Sequence, residues 1–167
     1  MDYLEASAEL SPCGLYRYRL DRVWDRSRDV AVFVMLNPST ADGATDDATI
    51  RKCVAFAKAW GCGRLTVVNL FAFRATEPDD LKRAADPVGP DNDRHIAAAC
   101  AGRLVVCAWG AAVAKAKRPV LFERPGAVRR LLAGCGASAR TLGLTSGGHP
   151  GHPLYVPGAR QPERFDL

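Results

Sequence analysis

Residues 32–43, VFVMLNPSTADG, change character abruptly. Val32, Phe33, Val34, Met35 and Leu36 form an unbroken apolar run, too short for a membrane span and typical of a strand buried on both faces. The run stops at Asn37-Pro38-Ser39-Thr40, where every side chain is polar or restricts the backbone. Two readings follow. Either Asn-Pro opens a turn and Ser or Thr caps the next element, or the strand end is the floor of a binding site.

Outward from this strand, residues 15–24 (LYRYRLDRVW) alternate apolar with basic or polar, as a half-exposed strand does. On the other side, Ile50, Cys53, Val54, Ala57 and Trp60 recur at helical spacing. Thr45, Asp46 and Asp47 stand at the start of that helix, where carboxylates complement its dipole, and Gly61 and Gly63 follow its end. Residues 65–73 (LTVVNLFAF) give a second buried strand. Residues 76–91 contain three prolines and five acidic side chains and read as a long polar connection with a short turn of helix. A helix over 91–102, a strand over 103–110, a helical region with a Pro-Gly break over 111–134 and a short strand near 139–145 complete the pattern. The tail from Ser146 is rich in Gly and Pro. Strands alternating with helices predict a three-layer α/β/α sandwich with a mostly parallel central sheet of four or five strands, one domain over 1–167. In such sheets ligands bind beyond the carboxyl ends of the strands.

Composition sets outer limits. Hydrophobic residues make up 48% and charged residues 25% of 167, the balance of a soluble globular protein. No charged-then-apolar leader and no apolar run of membrane length occur, so a cytoplasmic protein without membrane partners is expected. Residues 1–100 carry 13 basic and 15 acidic side chains, and residues 101–167 carry 10 and 3. That basic last third suits a phosphate-bearing partner, and equally a solvated Arg-rich surface. The six cysteines form no Cys-x-x-Cys pair and read as reduced thiols, with no metal cluster or other cofactor expected.

Four stretches at successive strand ends stand out together: MLNPS, TVVNLFAFRA, VVCAWGAAVAK and GHPLYV. Their order resembles the uracil-DNA glycosylase superfamily, in which one strand ends in Gly-x-Asp-Pro or Gly-x-Asn-Pro, a second in a base-reading Asn, a third runs into Trp-Gly, and a His-Pro loop closes the site. The wording MLNPSTAD, DDATIR, WG, VNLFAFRAT and HPLYV also resembles domain-of-unknown-function family 1643 over nearly the whole chain.

The glycosylase resemblance implies roles. Asn37 would align the water that attacks the sugar C1′, with Pro38 and Ser39 beside the base; as a turn residue Asn37 would instead bond its own backbone. Asn69 would read a base edge with its donor and acceptor, or else satisfy loop backbone. His152 would donate to the departing base, with His149 an alternative occupant of that role. Phe71, Phe73 and Tyr155 compete to stack on the base. Arg74, Lys115, Lys117 and Arg118 are candidates for phosphate, aided by a helix N-terminus if one starts after Trp109-Gly110. Asp42, Asp46 and Asp47 form an acidic cluster open to two accounts, helix capping or a divalent metal.

The leading expectation is a glycosylase-like hydrolase of an N-glycosidic bond in nucleic acid or a nucleotide. A non-catalytic nucleotide or nucleic-acid binding module and a metal-dependent phosphodiesterase are the alternatives.

Overall fold

The computed structural model describes residues 2–167, the side chain of Pro78 aside. Seven strands form one sheet: β1 (Glu5–Leu10), β2 (Arg17–Val23), β3 (Val30–Met35), β4 (Arg64–Asn69), β5 (Leu104–Cys107), β6 (Ser138–Thr141) and β7 (Glu163–Arg164). Their spatial order is β1-β2-β4-β3-β5-β6-β7. The inner four, β4-β3-β5-β6, are parallel. The β1–β2, β2–β4 and β6–β7 pairings are antiparallel.

The sheet is therefore mixed, and the expectation of four or five mostly parallel strands is corrected. The reason lies at the edges. No residue of β1 is fully buried, so EASAEL carries no apolar face to read. Strand β7 is two exposed residues that add to β6. β1 is brought to β2 by a tight turn in which Ser11 donates its N–H to Tyr16 and Gly14 to Ser11. The chain is α/β, as expected, with helices α1 (Ala48–Ala59), α2 (Pro78–Arg83), α3 (Asn92–Cys100), α4 (Pro119–Phe122) and α5 (Arg124–Gly134).

Continuous apolar strands need cover on both faces. Along β3, Ala31, Phe33 and Met35 join Leu65, Val67 and Val106 in a cluster with Ile50, Cys53, Val54 and Ala57 of α1. Val32 and Val34 join Val68, Val105 and Cys107 in a second cluster with Ile96 of α3 and Val128 and Leu132 of α5. Helix α1 starts where expected, because Asp47 accepts the Ile50 N–H at 2.8 Å. At the N-cap of α3, Asp91 makes no side-chain capping bond. Asn92 is fully buried instead, and its amide donates to the carbonyls of Asn69 and Leu70.

Residues 111–118 contain no helix, and Pro125-Gly126 sits in the first turn of α5 rather than at a break. No helix N-terminus follows Trp109-Gly110, so the anion site expected there from backbone N–H groups is absent. The chain leaves β3 for β4 on one side and later places β5 on the other. That reversal opens a crevice between the ends of β3 and β5.

One buried charge anchors the entry to α1. Arg22 on β2 is fully buried and donates to the Asp46 carboxylate at 2.8 Å and to the carbonyls of Asp21, Asp42, Thr45 and Ser7. Removing the carboxylate leaves a guanidinium in the interior with neutral partners only. We expect Asp46→Ala to lower the unfolding free energy by about 3 kcal/mol, read as a shift in the urea midpoint. A loss below about 1 kcal/mol, the worth of an exposed pair, contradicts this reading.

Candidate functional site

The crevice is built from three strand ends. Ala108 donates its N–H to Val34, while Leu70 and Phe71 donate to Met35 and Leu36. These bonds carry the sheet past its strands and draw Phe71 into the core, where it is fully buried. Leu36 and Trp109 are left facing the gap. After β6 the chain doubles back. Leu144 pairs with Pro150, Thr145 N–H donates to His149 and Gly151 N–H to Gly143. The His-Pro loop is thereby held over the end of β5.

These elements line an open cavity of about 840 Å³, whose walls include Leu36, Trp109, Gly110, His152, Tyr155 and Arg160. The size suits a ligand of a few hundred daltons. Gly110 matters here twice. Its φ of 70° is open to glycine at little cost, and a Cβ there would stand 3.5 Å from that of His152. Its N–H also donates to Pro150 at 2.8 Å, tying the loop to the strand end.

His152 opens a 3₁₀ turn, Pro153–Tyr155, and its Nδ1 accepts the Leu154 N–H at 3.4 Å. With Nδ1 as acceptor, the neutral ring carries its proton on Nε2, which has no protein partner among the described residues. Burial lowers the pKa of this imidazole, and the charge of Asp47 offsets part of that effect. At neutral pH His152 thus presents an N–H donor and no charge. His149 sits in the tight turn beside Gly147 and does not line the cavity.

Asn37 has a different geometry. Its amide nitrogen donates to the carbonyls of Pro38 (2.9 Å) and Ala75 (2.8 Å). Both partners are acceptors, so the NH₂ must face them and Oδ1 must face away. Asn37 lines a side pocket of about 60 Å³ that shares Leu36, Thr76 and Ala112 with the main cavity. That volume is large enough for a water molecule. Pro38 is buried and Ser39 half-buried, and neither lines the cavity.

Asn69 is 2% exposed, and its Oδ1 is buried without a partner. It lines neither the cavity nor the side pocket. Of the three aromatics that compete to stack, only Tyr155 lines the cavity; it is 87% exposed, its ring tilted 5.7 Å from that of His152. Phe73 packs edge-on against Tyr16. The structure brings His152 and Tyr155 together, sets Asn37 next door, and leaves Asn69 and Phe71 in the interior.

The basic candidates divide similarly. Arg118 donates to the carbonyls of Lys82 and Ala84 at the end of α2, and Arg74 to that of Gly14. Lys115 and Lys117 are exposed on the segment that follows Ala111 and Ala112 of the cavity wall. Each carboxylate of the acidic cluster is engaged by the protein. Asp42 accepts from the Ala44 and Thr45 N–H groups, Asp46 from Arg22 and Tyr3, and Asp47 from Ile50. Among the described residues no three His, Cys, Asp or Glu side chains stand together as a ligand set. No disulfide joins the six cysteines. No described helix is long and apolar enough to cross a membrane.

Arg160 was not foreseen from sequence. It lies in a Gly- and Pro-rich tail without periodicity. Trp109, part of the Trp-Gly motif, packs edge-on to Phe165 and lines the cavity, its Nε1 buried without a hydrogen-bond partner among the described residues.

The lowered pKa of His152 makes a pH prediction. An unfolded imidazole takes up a proton as pH falls through about 6.5, while the folded one stays neutral to a lower pH. Stability is therefore complete above that value and declines below it until the folded ring also protonates. We expect the His152 ring signals in NMR to titrate below 6.5, and His152→Gln to remove this component of the acid-side stability loss. A midpoint at or above 6.5 sinks the assignment.

A scan of family models matches residues 17–154 to DUF1643, a protein of unknown function. Searches of curated proteins and of solved structures give no match. Since the matched segment covers most of the chain, this protein belongs to the DUF1643 family.

Proposed function

We propose that the cavity receives a nucleobase and that the protein hydrolyses the N-glycosidic bond that carries it. The observation behind this reading is His152: a neutral imidazole on the cavity wall with Nδ1 occupied by a backbone N–H and Nε2–H available to donate. Leu36, Trp109, Leu142 and Val156 give apolar walls for a flat ring. In this scheme Nε2–H donates to a carbonyl of the base. The C1′–N bond breaks with its electron pair moving onto the base, whose developing charge the donor stabilises. A water in the side pocket, accepted by Asn37 Oδ1, forms the new C1′–O bond, and its proton passes through solvent to the departed base. The exposed Lys115 and Lys117 give the same end of the molecule positive charge for phosphates of a nucleotide or nucleic acid.

A second reading has its own support. No carboxylate lines the cavity or the side pocket, and the Asn37 amide cannot take a proton. A general base typically contributes ~10²–10⁴ in rate, so the same pocket could bind a nucleotide with little or no turnover.

The test is release of free base from nucleosides, nucleotides and oligonucleotides bearing uracil or modified bases, followed by chromatography. We expect slow release by the natural protein and a ~10²–10³-fold loss in His152→Ala, the magnitude for removing one donor to developing charge. Release that is indifferent to His152→Ala refutes the catalytic scheme. Saturable binding without release assigns the binding module.

A further inference from the structure

Beyond the 3₁₀ turn, residues 157–162 run from the mouth of the main cavity to a second cavity of about 430 Å³ lined by Trp60, Arg64, Arg103, Gln161 and Pro162 among others. Arg160 is the fixed point of this strap. Its carbonyl accepts the Trp60 indole N–H at 3.2 Å, which ties it to the end of α1. Its Nη2 donates to both carboxylate oxygens of Glu163 in β7, at 3.2 and 3.1 Å. Beneath the guanidinium lies Gly143, with φ 112°, where a Cβ would come within 3.1 Å of Nη2. Its backbone is thus tied to the end of α1 and its guanidinium to β7, at the cavity wall. Its Nε and Nη1 donate to nothing among the described residues.

An arginine oriented by a carboxylate at Nη2, with N–H groups left over on Nε and Nη1, can take an anion with less loss of rotamer entropy than a free side chain. Glu163 neutralises part of its charge, but no carboxylate lines the cavity itself. Lys52 adds a second cation behind the strap, its Nζ 3.7 Å from where a Cβ on Gly158 would stand. Along the cavity, then, an apolar wall with one N–H donor gives way to a charged fork.

We propose that Arg160 binds phosphate and that the ligand of this cavity is a phosphorylated nucleoside, its phosphate accepting an Arg160 N–H that Glu163 leaves free. The base end rests on the nucleobase reading above; the anion end does not. Ribose 5-phosphate, which has no base, tests the anion end alone. A nucleoside tests the base end alone, and a nucleoside 5′-monophosphate tests both.

Titration calorimetry of the natural protein and Arg160→Gln with these three probes decides the matter. Loss of a charge-assisted contact at this exposed position should weaken ribose 5-phosphate and the monophosphate by about tenfold and leave the nucleoside unchanged. Ribose 5-phosphate that does not bind, or that binds both proteins alike, overturns the proposal. A nucleoside that fails to bind while ribose 5-phosphate depends on Arg160 instead overturns the nucleobase reading and leaves the anion site standing. A single-stranded oligonucleotide carrying the same dependence on Arg160 identifies the phosphate as that of a nucleic acid, and dependence for the monophosphate alone identifies a free nucleotide.

Discussion

Everything at the candidate site depends on β3 having a parallel partner on each side. Its carbonyls at Val34, Met35 and Leu36 accept N–H groups from Ala108 on one flank and from Leu70 and Phe71 on the other. Once both flanks are filled, the two outgoing chains must diverge, since one crossover returns over α1 and the next over α3. A gap at the carboxyl end is then unavoidable. Leu36 and Trp109 line it because they are the first residues released from the ladder, and the gap is deep because β6 and its doubled-back loop wall off the third side. The apolar run of residues 32–36 and the position of the cavity are thus one fact at two scales.

How much of this could be read from sequence follows from burial. β3, β4 and β5 have continuous apolar runs, and α1 has a clear face, so each was legible. β1 and β7 bury almost nothing and left no pattern, which is why the sheet has seven strands and antiparallel edges where fewer and mostly parallel ones were expected. Residues 111–118 were misread because Ala and Lys favour helix by propensity, yet the tertiary demand is for a loop that lines the cavity. At the site, His152 was legible because HPLYV continues apolar after a strand-end loop. Arg160 was not, since its role comes from contacts with Trp60, Glu163 and Gly143, of which Trp60 and Gly143 lie 100 and 17 residues away in sequence. No local pattern encodes such a convergence.

The position of Asn37 carries its own constraint. An Asn at a strand end beside a cavity reads naturally as a weakened acid. The hydrogen bonds say otherwise. Two carbonyl oxygens, of Pro38 and Ala75, converge on the amide nitrogen. A carboxylate in the same rotamer would set an anionic oxygen against two acceptors, which is repulsive and unsatisfied at once. The loop is built around a donor at this point, and the amide is what lets residue 75 approach the strand end. Asn37 therefore has a structural task that requires an amide, and any water it aligns is aligned by the oxygen left over.

The same desolvation that makes His152 a neutral donor also sets the worth of the charges around it. An apolar wall of Leu36, Trp109, Leu142 and Val156 disfavours a cation on the imidazole, since burial penalises the charged form. Arg160 meets that wall with a guanidinium that cannot give up its proton. Glu163 holds one of its nitrogens, and the Arg160 side chain is 44% exposed. One cavity thus combines an imidazole that becomes uncharged with an arginine that remains charged, and the field between them runs from a neutral donor to a fixed positive end. A ligand with an uncharged hydrogen-bonding ring at one end and an anion at the other matches that gradient along its whole length. A ligand charged at the ring end, or uncharged throughout, meets the wrong environment at one of the two.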